Sequence, residues 1–554
     1  MLYFENLNKL STHSDYLTTI FWEKKFFFVG WLVRDLLLHR ENSLEDIDIT
    51  LGGTHADNKA IITHSDKDFS FFDTEKYGTM TIIPKKENNK SHYEITPFRT
   101  ETTYSDGRHP DEVIRSDSLL EDSQRRDFTI NCLYYTKLQA DYVDRNSSFS
   151  VLLGWAWQEF DSLALIKQLE RKGRYYDSNS CTLLIQDHNL IEKISGEKPY
   201  DSFSQEDISG PIVHLILDPH QGTQDLLAKK IRAVGLPDKR FQEDALRVIR
   251  GLRFSIALEC DFEKHTWTSL QQNAHLLRQV AKERIKQECD KAFWGNNPFG
   301  FVWLLDAAHV LKRIFPKVYD NKGVEQPIRY HPFDVYTHTL LVLYHLQGLS
   351  TDKLLRYAAL YHDVGKVEQY STYDMKLDEE GIRNMFSSWL NHINCGEDFV
   401  REDFRFLGTS NKEIDIIAWY VHNHMKLGEI LMGDSRHYTK KLRPLIAEVW
   451  PDMVKKLWLL TIADRLGQYN PIQAPQIQSV YDLIDLVDVI MEEEGRFSMK
   501  ELVIDGTMLM EELQLPAWPQ LGELLKRSYE RVLEDLTRND KKILLVTIKQ
   551  WMEQ

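Results

Sequence analysis

The chain has 554 residues, 42% of them hydrophobic, which is enough for three to five domains with ordinary packed cores. Its net charge of −16 argues against a uniformly basic nucleic-acid-binding protein, although a local basic stripe can still bind phosphate on an acidic chain. Five scattered cysteines without a CxxC pair argue against a zinc ribbon or a disulfide scaffold, and the chain shows neither a membrane-spanning apolar run nor a signal peptide, so we expect a cytoplasmic protein.

Short runs with strand periodicity come first along the chain. FFFVG at 26–30 predicts a buried strand that runs into a glycine turn. DIDIT at 46–50 and HYEIT at 92–96 alternate polar and apolar residues, which is typical of half-buried strands. NCLYY at 131–135 predicts another strand. Residues 1–136 are therefore predicted to form a mixed α/β region.

The rest of the chain changes character twice. Residues 137–213 are polar and carry no motif, so we interpret them as an insertion of unknown role. Beyond about residue 217 the apolar residues follow a helical period, most clearly at 338–346, 353–363 and 456–466. The predicted fold class is α+β, with a mixed head followed by helical domains.

The strongest local pattern is the pair Asp46 and Asp48. Residues i and i+2 of a strand point to the same face, and two adjacent carboxylates repel each other unless a cation lies between them. Such a pair suits Mg²⁺ ions that also hold a nucleoside triphosphate. Glu94 on the later strand offers a third carboxylate, and Gly30 at a strand-to-helix junction lets the backbone approach phosphate. The alternatives are solvated strand carboxylates and a simple turn glycine.

These residues belong to a larger ordered set of motifs. The set is Val29-Gly30-x-x-Val33-Arg34-Asp35, Asp46-x-Asp48, Tyr93-Glu94-Ile95-Thr96-x-Phe98-Arg99, Tyr104-Ser105-Asp106-Gly107-Arg108-His109-Pro110 and Arg125-Arg126-Asp127-Phe128-Thr129-Ile130-Asn131. It resembles the polymerase-β-like head domain of bacterial tRNA nucleotidyltransferases and poly(A) polymerases. The resemblance implies that Asp46 and Asp48 bind catalytic Mg²⁺. It also implies that Asp127 favours ribose over deoxyribose by contacting the 2′-hydroxyl of the ribose. It implies nucleotide-binding roles for Gly30, Arg34, Arg125, Arg126, Asp127 and Asn131.

The segment Glu243-Asp244-x-x-Arg247 suggests how a base is chosen. On a helix, Asp244 and Arg247 would share a face, and the usual interpretation is a surface ion pair. A carboxylate only accepts hydrogen bonds and a guanidinium only donates them. Cytosine and adenine each offer an amino donor beside a ring-nitrogen acceptor, so this pair would accept C and A and reject G and U.

The surroundings of this segment also resemble the same family. Arg250-x-x-Arg253-Phe254 follows it, and the resemblance implies that Arg250 and Arg253 help bind the nucleotide. Residues Thr103 to Val113, which include Arg108, resemble the family's flexible loop. A complete loop favours addition of the whole CCA sequence over addition of CC alone; the alternative is a plain Gly-Pro turn.

A different set of residues follows in the C-terminal half, namely His338, His362, Asp363 and Asp464. Histidines and carboxylates on packed helices suit a divalent transition metal that activates water. The set resembles that of HD-domain phosphohydrolases, which implies phosphatase or 2′,3′-cyclic phosphodiesterase activity. Its predicted metal ligands are His338, His362, Asp363 and Asp464.

We therefore predict a CCA-adding tRNA nucleotidyltransferase with an HD domain, whose partners are tRNA, CTP and ATP and whose head cofactor is Mg²⁺. The alternatives are a poly(A) polymerase or A-adding enzyme, and a metal phosphohydrolase with an RNA-binding head. The sequence does not indicate the oligomeric state. The predicted domains are a nucleotidyltransferase head at 1–136, the insertion at 137–213, a helical neck at 214–330, an HD domain at 331–474 and a tRNA-binding helical tail at 475–554.

Overall fold

The computed structural model divides the chain into two compact units, Met1–Arg284 and Ile285–Gln554. Its description leaves out residues 1, 22–23, 41–44, 75–77, 86–90, 102–112, 140–173, 178–181, 197–211, 327–331, 371–391, 432, 469–476, 496, 514–519 and 553–554. None of the helices in the described part of the chain is long and apolar enough to cross a membrane.

The first unit is built on a nine-stranded sheet with the order β3-β4-β5-β2-β1-β8-β11-β10-β9. Two further pairs, β6 with β7 and β12 with β13, lie outside it. The strands are β1 (Phe26–Val29), β2 (Asp46–Leu51), β3 (Phe69–Thr74), β4 (Thr79–Pro84), β5 (His92–Pro97), β6 (Arg99–Glu101), β7 (Val113–Arg115), β8 (Tyr134–Gln139), β9 (Arg174–Asp177), β10 (Thr182–Ile185), β11 (Ile212–Leu217), β12 (Lys230–Ile231) and β13 (Asp261–Phe262).

The helices of this unit pack around the sheet or follow it in the chain. They are α1 (Ser11–Thr18), α2 (Trp31–Leu37), α3 (His55–Thr63), α4 (Leu119–Gln124), α5 (His188–Gly196), α6 (Gly222–Leu227), α7 (Pro237–Glu243), α8 (Leu246–Leu258) and α9 (Lys264–Asn273). The helical neck expected from the sequence also contains the short parallel pair β12–β13. The predicted α+β class, with a mixed head and a mostly helical remainder, is confirmed.

The centre of the sheet forms because apolar side chains alternate with polar ones. In β2, Ile47 and Ile49 are fully buried whereas Asp46 is exposed. β1 is buried along its whole length, as its four apolar residues predict. The strands predicted at 26–30, 46–50 and 92–96 are confirmed as β1, β2 and β5.

One expectation for this unit needs revision, and one predicted segment proves to contain strands. The strand predicted at 131–135 is wrong at its start, because Thr129–Asn131 form a 3-10 turn and β8 begins only at Tyr134. The Asn131 side chain is drawn into hydrogen bonds instead of facing across a sheet. Within the predicted insertion, β10 pairs with β11 and β9 pairs with β10, so the two strands extend the head sheet and this segment contributes to the core of the first unit.

The second unit is helical throughout its described residues. Its helices are α10 (Lys282–Trp294), which begins just before it, α11 (Pro298–Ala307), α12 (Leu311–Ile314), α13 (Pro316–Tyr319), α14 (Val335–Gln347), α15 (Lys353–Tyr361), α16 (Lys366–Tyr370), α17 (His392–Phe406), α18 (Asn411–Asn423), α19 (Lys426–Leu431), α20 (Tyr438–Glu448), α21 (Pro451–Gly467), α22 (Ile477–Glu493), α23 (Gly506–Leu513), α24 (Gln520–Glu534) and α25 (Lys541–Met552).

Local signals in the sequence fix where the central helices begin. Asp334 caps α14 by accepting a hydrogen bond from the backbone of Thr337. Asp352 caps α15 through the backbone of Leu354 and Leu355. α14 packs against both α15 and α21. The helices predicted at 338–346, 353–363 and 456–466 are thus confirmed, and the HD residues lie where these helices meet.

Candidate functional site

Three carboxylates of the first unit lie on neighbouring strands of the head sheet. β2 and β5 pair in parallel, with Asp48 opposite Glu94 and Asp46 opposite His92. Burial raises the pKa of Asp48 to about 6, with further repulsion from Glu94 and Asp46. Asp46 and Glu94 are exposed and Asp48 is half-buried. This concentration of negative oxygen ligands on two central strands suits Mg²⁺, which prefers carboxylates and substrate phosphates.

Gly30 lies directly beside this carboxylate cluster. It ends β1 and precedes α2 with φ +80°, a conformation that favours glycine. A methyl group built on its Cα would stand 3.6 Å from Oδ2 of Asp48. The glycine turn therefore lies within van der Waals range of the carboxylates, and a phosphate that approached its backbone would lie next to them.

A buried hydrogen-bond chain leads from α2 to α8 through Asp127. Arg34 donates to the Asn131 amide oxygen at 2.6 Å, and the Asn131 amide donates to Asp127 Oδ1 at 3.0 Å. Arg250 donates two hydrogen bonds to Asp127 Oδ2, from Nε at 2.9 Å and from Nη2 at 2.6 Å. Although burial opposes ionisation, Arg250 holds the pKa of Asp127 well below its usual range.

The buried carboxylate of Asp122 binds both Arg125 and Arg126. Asp122 accepts from Arg125 Nε at 2.9 Å and from Arg126 Nη2 at 3.1 Å. Burial disfavours the charge, but the two arginines lower the pKa of Asp122 to about 2. Positive charge from Arg126 and Arg250 also favours ionised Asp48. The arginine pair is thus fixed near the carboxylates.

Aromatic packing orients further arginines next to this chain. The guanidinium groups of Arg34, Arg250 and Arg253 lie 5.2, 5.4 and 4.2 Å from the centre of the Phe254 ring. Such cation–π contacts hold the charged groups in place without neutralising them. Arg108 of the predicted flexible loop lies outside the described residues.

The prediction that Asp244 and Arg247 share a helix face is wrong. Asp244 lies between α7 and α8 in an extended conformation, and its Oδ1 accepts from the backbone of Leu246 at the start of α8. An aspartate that bonds the backbone in this way interrupts a helix. Its Oδ2 pairs with Arg284 Nη2 at 3.3 Å, a partner that no sequence motif indicated.

Arg247 has a separate set of partners. Its Nη1 donates to Glu243 at 3.0 Å and to the Arg240 carbonyl at 2.9 Å, and its Nη2 donates to the Arg125 carbonyl at 2.7 Å. A guanidinium has five N–H donors, so those of Arg247 are not exhausted by these bonds. The bond to Arg125 ties α8 to the arginine pair of the head.

In the second unit, the structure brings all four predicted HD residues together. His338 Nε2 lies 3.0 Å from Asp464 Oδ1, 3.6 Å from Asp363 Oδ2 and 3.3 Å from His362 Nε2. The nitrogen and oxygen atoms of His338, His362 and Asp464 lie within 4.8 Å of one another, close enough to hold one metal ion.

Neighbouring charges keep the carboxylates of this centre ionised. Although burial opposes it, Lys366, at 2.6 Å from Oδ2, and His362 hold the pKa of Asp363 well below its usual range. Burial also opposes ionisation of Asp464, but His338 lowers the pKa of this carboxylate. A buried group of ionised oxygens and imidazole nitrogens fits a divalent transition metal.

Sequence reasoning missed one residue of this region. His392 at the start of α17 lies beside Asp363, as does His424 at the end of α18. His392 follows a stretch without helical or motif signals, so nothing in the sequence distinguished it. His422, two positions before His424, is a half-exposed partner of Glu397 and lies outside this group.

Comparison with known domain families gives the same order of parts. The poly A polymerase head domain matches residues 26–147, and a probable RNA-binding site of polymerase A matches residues 261–321. The HD domain matches residues 335–467. The head match includes the carboxylate cluster, and the HD match includes all four predicted HD residues.

Similar proteins and structures extend this finding to most of the chain. A CCA-adding enzyme of Streptococcus uberis is 25% identical over 513 residues, covering 93% of this chain and 89% of that protein. One from Limosilactobacillus reuteri is 32% identical over 273 residues, covering 49% of this chain and 46% of that protein. The crystal structure of the Bacillus stearothermophilus CCA-adding enzyme in complex with CTP shares the fold, with a TM-score of 0.56, 19% identity, and coverage of 99% and 96% of the two chains. The chain thus resembles poly A polymerases in its head and RNA-binding region and HD-domain proteins in its C-terminal half, and it is similar to a CCA-adding enzyme over 93% of its length.

Proposed function

We propose that this protein adds CCA to the 3′ end of tRNA in the cytoplasm, using CTP and ATP and releasing pyrophosphate. The observation that carries the proposal is the carboxylate cluster of Asp46, Asp48 and Glu94 with Arg126 and Arg250 near it. Similarity to CCA-adding enzymes over 93% of the chain supports the choice of product.

The reaction joins the RNA 3′-hydroxyl to the α-phosphate of the nucleotide, and the bond to the departing pyrophosphate breaks. Asp46 and Asp48 would hold Mg²⁺, with Glu94 beside them. The metal, when bound, supplies positive charge to the triphosphate and to the attacking oxygen. The backbone of Gly30 would approach the phosphate, and Arg125 and Arg126 would neutralise the phosphate charge.

Nucleotide selection would use the residues around α8. The ribose would lie near Asp127, whose carboxylate is held in one orientation by Arg250 and Asn131. Asp244 would accept a hydrogen bond from the amino group of C or A, and Arg247 would donate to the adjacent ring nitrogen. Arg34 and Arg253 support this region through Phe254. G and U would leave these groups unpaired, which is costly in a buried site.

The HD centre would add a second activity, the hydrolysis of phosphate esters at RNA ends. His338, His362, Asp363 and Asp464 would hold a divalent transition metal there. The metal, when bound, lowers the pKa of a water molecule toward neutrality. The observation behind this part is the convergence of the four side chains around His338 Nε2.

The test of transfer is a double substitution in the head, Asp46→Ala with Asp48→Ala. We expect incorporation of CMP into tRNA lacking CCA to fall by at least about 1,000-fold, because charge stabilisation of the triphosphate is the main catalytic term. The measurement is single-turnover incorporation of labelled CMP with saturating CTP.

The matched control is Asp66→Ala with Asp68→Ala, which removes the same charge from an exposed segment just before β3. Its CMP incorporation should stay within about twofold of the unsubstituted protein, as exposed carboxylates contribute little. Unchanged incorporation by the Asp46 and Asp48 variant would contradict the assignment of these residues.

A further inference from the structure

The insertion at 137–213 reaches a helix that supports the arginine pair of the head. Its strand β10 pairs in parallel with β11, with Ile185 opposite Leu217. Parallel neighbours need a crossover connection, and helix α5 lies in the chain between these two strands. α5 packs against α4, the helix that carries Asp122.

One contact joins α5 to the beginning of α4. Ser118 caps α4, because its hydroxyl oxygen accepts a hydrogen bond from the Glu121 backbone at 3.2 Å. The same hydroxyl donates its hydrogen to the Glu192 carboxylate of α5. A hydroxyl has one hydrogen and two lone pairs, so it can make both bonds at once. Glu192 therefore fixes the residue on which α4 begins.

Another contact reaches the end of α4 through the loop that precedes α6. His220 in this loop has its Nε2 atom 2.8 Å from the Ser123 hydroxyl of α4. The carbonyl of the preceding residue, Pro219, lies 2.7 Å from Nε2 of His188. His188 is the first residue of α5. The insertion therefore binds the loop that contacts the end of α4.

Gln186 of the insertion holds the same loop at Asp218. Its amide nitrogen donates to Asp218 Oδ2 at 2.7 Å, and the Ile185 carbonyl accepts from the Asp218 backbone at 2.9 Å. Asp218 is fully buried, and its carboxylate also accepts from the backbones of Gly222 at 2.7 Å and Thr223 at 3.1 Å. These bonds hold the loop in one conformation, as a buried carboxylate requires.

Asp122 lies on α4 between these two contacts. It is fully buried, and its carboxylate binds Arg125 and Arg126. It also accepts a hydrogen bond from the Tyr134 hydroxyl at 3.0 Å. A shift or rotation of α4 would therefore move this carboxylate and both guanidinium groups with it.

We propose that the insertion positions Arg125 and Arg126 for the triphosphate, with Glu192 and His188 as its positioning residues. The inference rests on the proposed nucleotidyl transfer. Glu192 acts on the beginning of α4, and His188 acts on its end through the loop at Pro219. Guanidinium groups that are already oriented lose less freedom when they bind phosphate, so their orientation raises the affinity for the nucleotide.

The two positioning residues should differ in strength. Glu192 is partly buried and bonds as a charged group, whereas His188 is exposed and bonds a neutral carbonyl. A hydrogen bond to an ionised group is roughly twice as strong as one between neutral groups. Loss of Glu192 should therefore have the larger effect.

The experiment measures nucleotide binding by the full-length protein without tRNA. Equilibrium dialysis with labelled CTP and Mg²⁺ gives the Kd for CTP. Competition by inorganic tripolyphosphate, which has neither base nor ribose, reports on the phosphate contacts alone. We expect Glu192→Ala to weaken both affinities by about 10-fold and His188→Ala by about threefold, as substitutions behind a binding site commonly do.

Two further variants separate positioning from a general loss of structure. Glu192→Gln keeps an acceptor for the Ser118 hydroxyl and should restore most of the affinity. Asn189→Ala, at an exposed position of α5, is the matched control and should leave both affinities within about twofold.

A double-mutant cycle tests whether Glu192 acts through the arginines. In a protein that carries Arg125→Ala with Arg126→Ala, addition of Glu192→Ala should change the Kd for CTP by less than about twofold, since the groups that it positions are gone. An undiminished effect of Glu192→Ala in that protein would overturn the proposal, because independent residues contribute additively.

The proposal is also overturned if a folded Glu192→Ala protein binds CTP and tripolyphosphate as tightly as the unsubstituted protein. Urea denaturation shows which variants fold. If Glu192→Ala does not fold, unchanged affinities in His188→Ala overturn the proposal, and weakened ones support it. Weaker CTP binding by Glu192→Ala, together with no CMP incorporation by the unsubstituted protein, would support the positioning and count against the proposed transfer alone.

Discussion

The head site and the HD centre hold their acidic groups in opposite ways. In the head, Asp46 and Glu94 are exposed, and burial and repulsion raise the pKa of Asp48 to about 6. In the HD centre, Lys366 and the histidines keep the buried carboxylates of Asp363 and Asp464 ionised. The negative charge of the head carboxylates is therefore only partly balanced until a metal–nucleotide complex binds. The HD centre, in contrast, suits a metal ion that stays bound.

The largest effect that separates the two regions is expected from His362→Ala. Loss of this ligand should lower phosphate release from RNA ends by about 100-fold, since ligands and their supporting groups control metal affinity and activity. CMP incorporation should stay within about twofold, because His362 belongs to the second unit. Both quantities are measured on the same preparation of protein and tRNA.

Loss of CMP incorporation in a folded His362→Ala protein would contradict the separation of the head site from the HD centre. His345→Ala provides the matched control, since His345 lies on α14 and belongs to neither group of potential metal ligands in the HD centre. It should leave both activities near those of the unsubstituted protein. Circular dichroism confirms that each variant keeps its helices.

A smaller effect is expected for base choice in the first unit. Asp244→Asn replaces an acceptor-only side chain with one that also donates, which lowers discrimination against G and U. We expect the ratio of CTP to UTP incorporation efficiencies to fall by about 10- to 100-fold. The measurement is kcat/KM for each nucleotide on tRNA lacking CCA.

Asp238→Asn is the control for the loss of a negative charge. Asp238 accepts hydrogen bonds from Ser269 and Asn273 and has no proposed role in base selection. Its ratio of CTP to UTP should be unchanged. An unchanged ratio in Asp244→Asn would exclude Asp244 from base selection. Since Arg284 pairs with Asp244, Arg284→Ala should shift the same ratio in the same direction, but less.

The smallest effect concerns stability in the second unit, where the burial of one carboxylate outweighs the groups that stabilise its charge. Burial raises the pKa of Asp403 to about 6, and hydrogen bonds from the Tyr361 hydroxyl and the Lys317 backbone offset this only in part. Because the folded protein holds this proton more tightly, stability falls as pH rises from about 4 to 6. Asp403→Asn removes that cost above pH 6.

We therefore expect Asp403→Asn to raise the free energy of unfolding at pH 8 by about 1–2 kcal/mol and to change it little at pH 4. Urea denaturation at both pH values measures the difference. Asp398→Asn, on an exposed position of the same helix, should have no such dependence on pH. A loss of stability at pH 8 would show that Asp403 is stabilising as an ion.

Much of both sites could be predicted from local patterns. The strand period placed Asp46 and Asp48 on one face, and the register of β2 with β5 placed Glu94 beside Asp48. The helical period placed His338, His362 and Asp464 on three helices that pack together. These features depend on periods of two and 3.6 residues, which a sequence displays directly.

The remainder depended on contacts between distant residues. Asp244 leaves the helix because its side chain bonds the Leu246 backbone, and it then pairs with Arg284, forty positions away. His392 reaches Asp363 only because Gly365 admits α17. No sequence motif includes Arg284 with Asp244 or His392 with Asp363, so only the folded structure identifies these pairs.

The most direct test of the central claim supplies nucleotides singly to tRNA lacking CCA and resolves the products to the nucleotide. We predict that CTP alone adds two residues, that CTP with ATP adds three and stops, and that GTP and UTP add none. Repeated addition from ATP alone, on tRNA and on generic RNA alike, would contradict this account and indicate a poly(A) polymerase. Phosphate release without any extension would instead indicate a phosphohydrolase with an RNA-binding head.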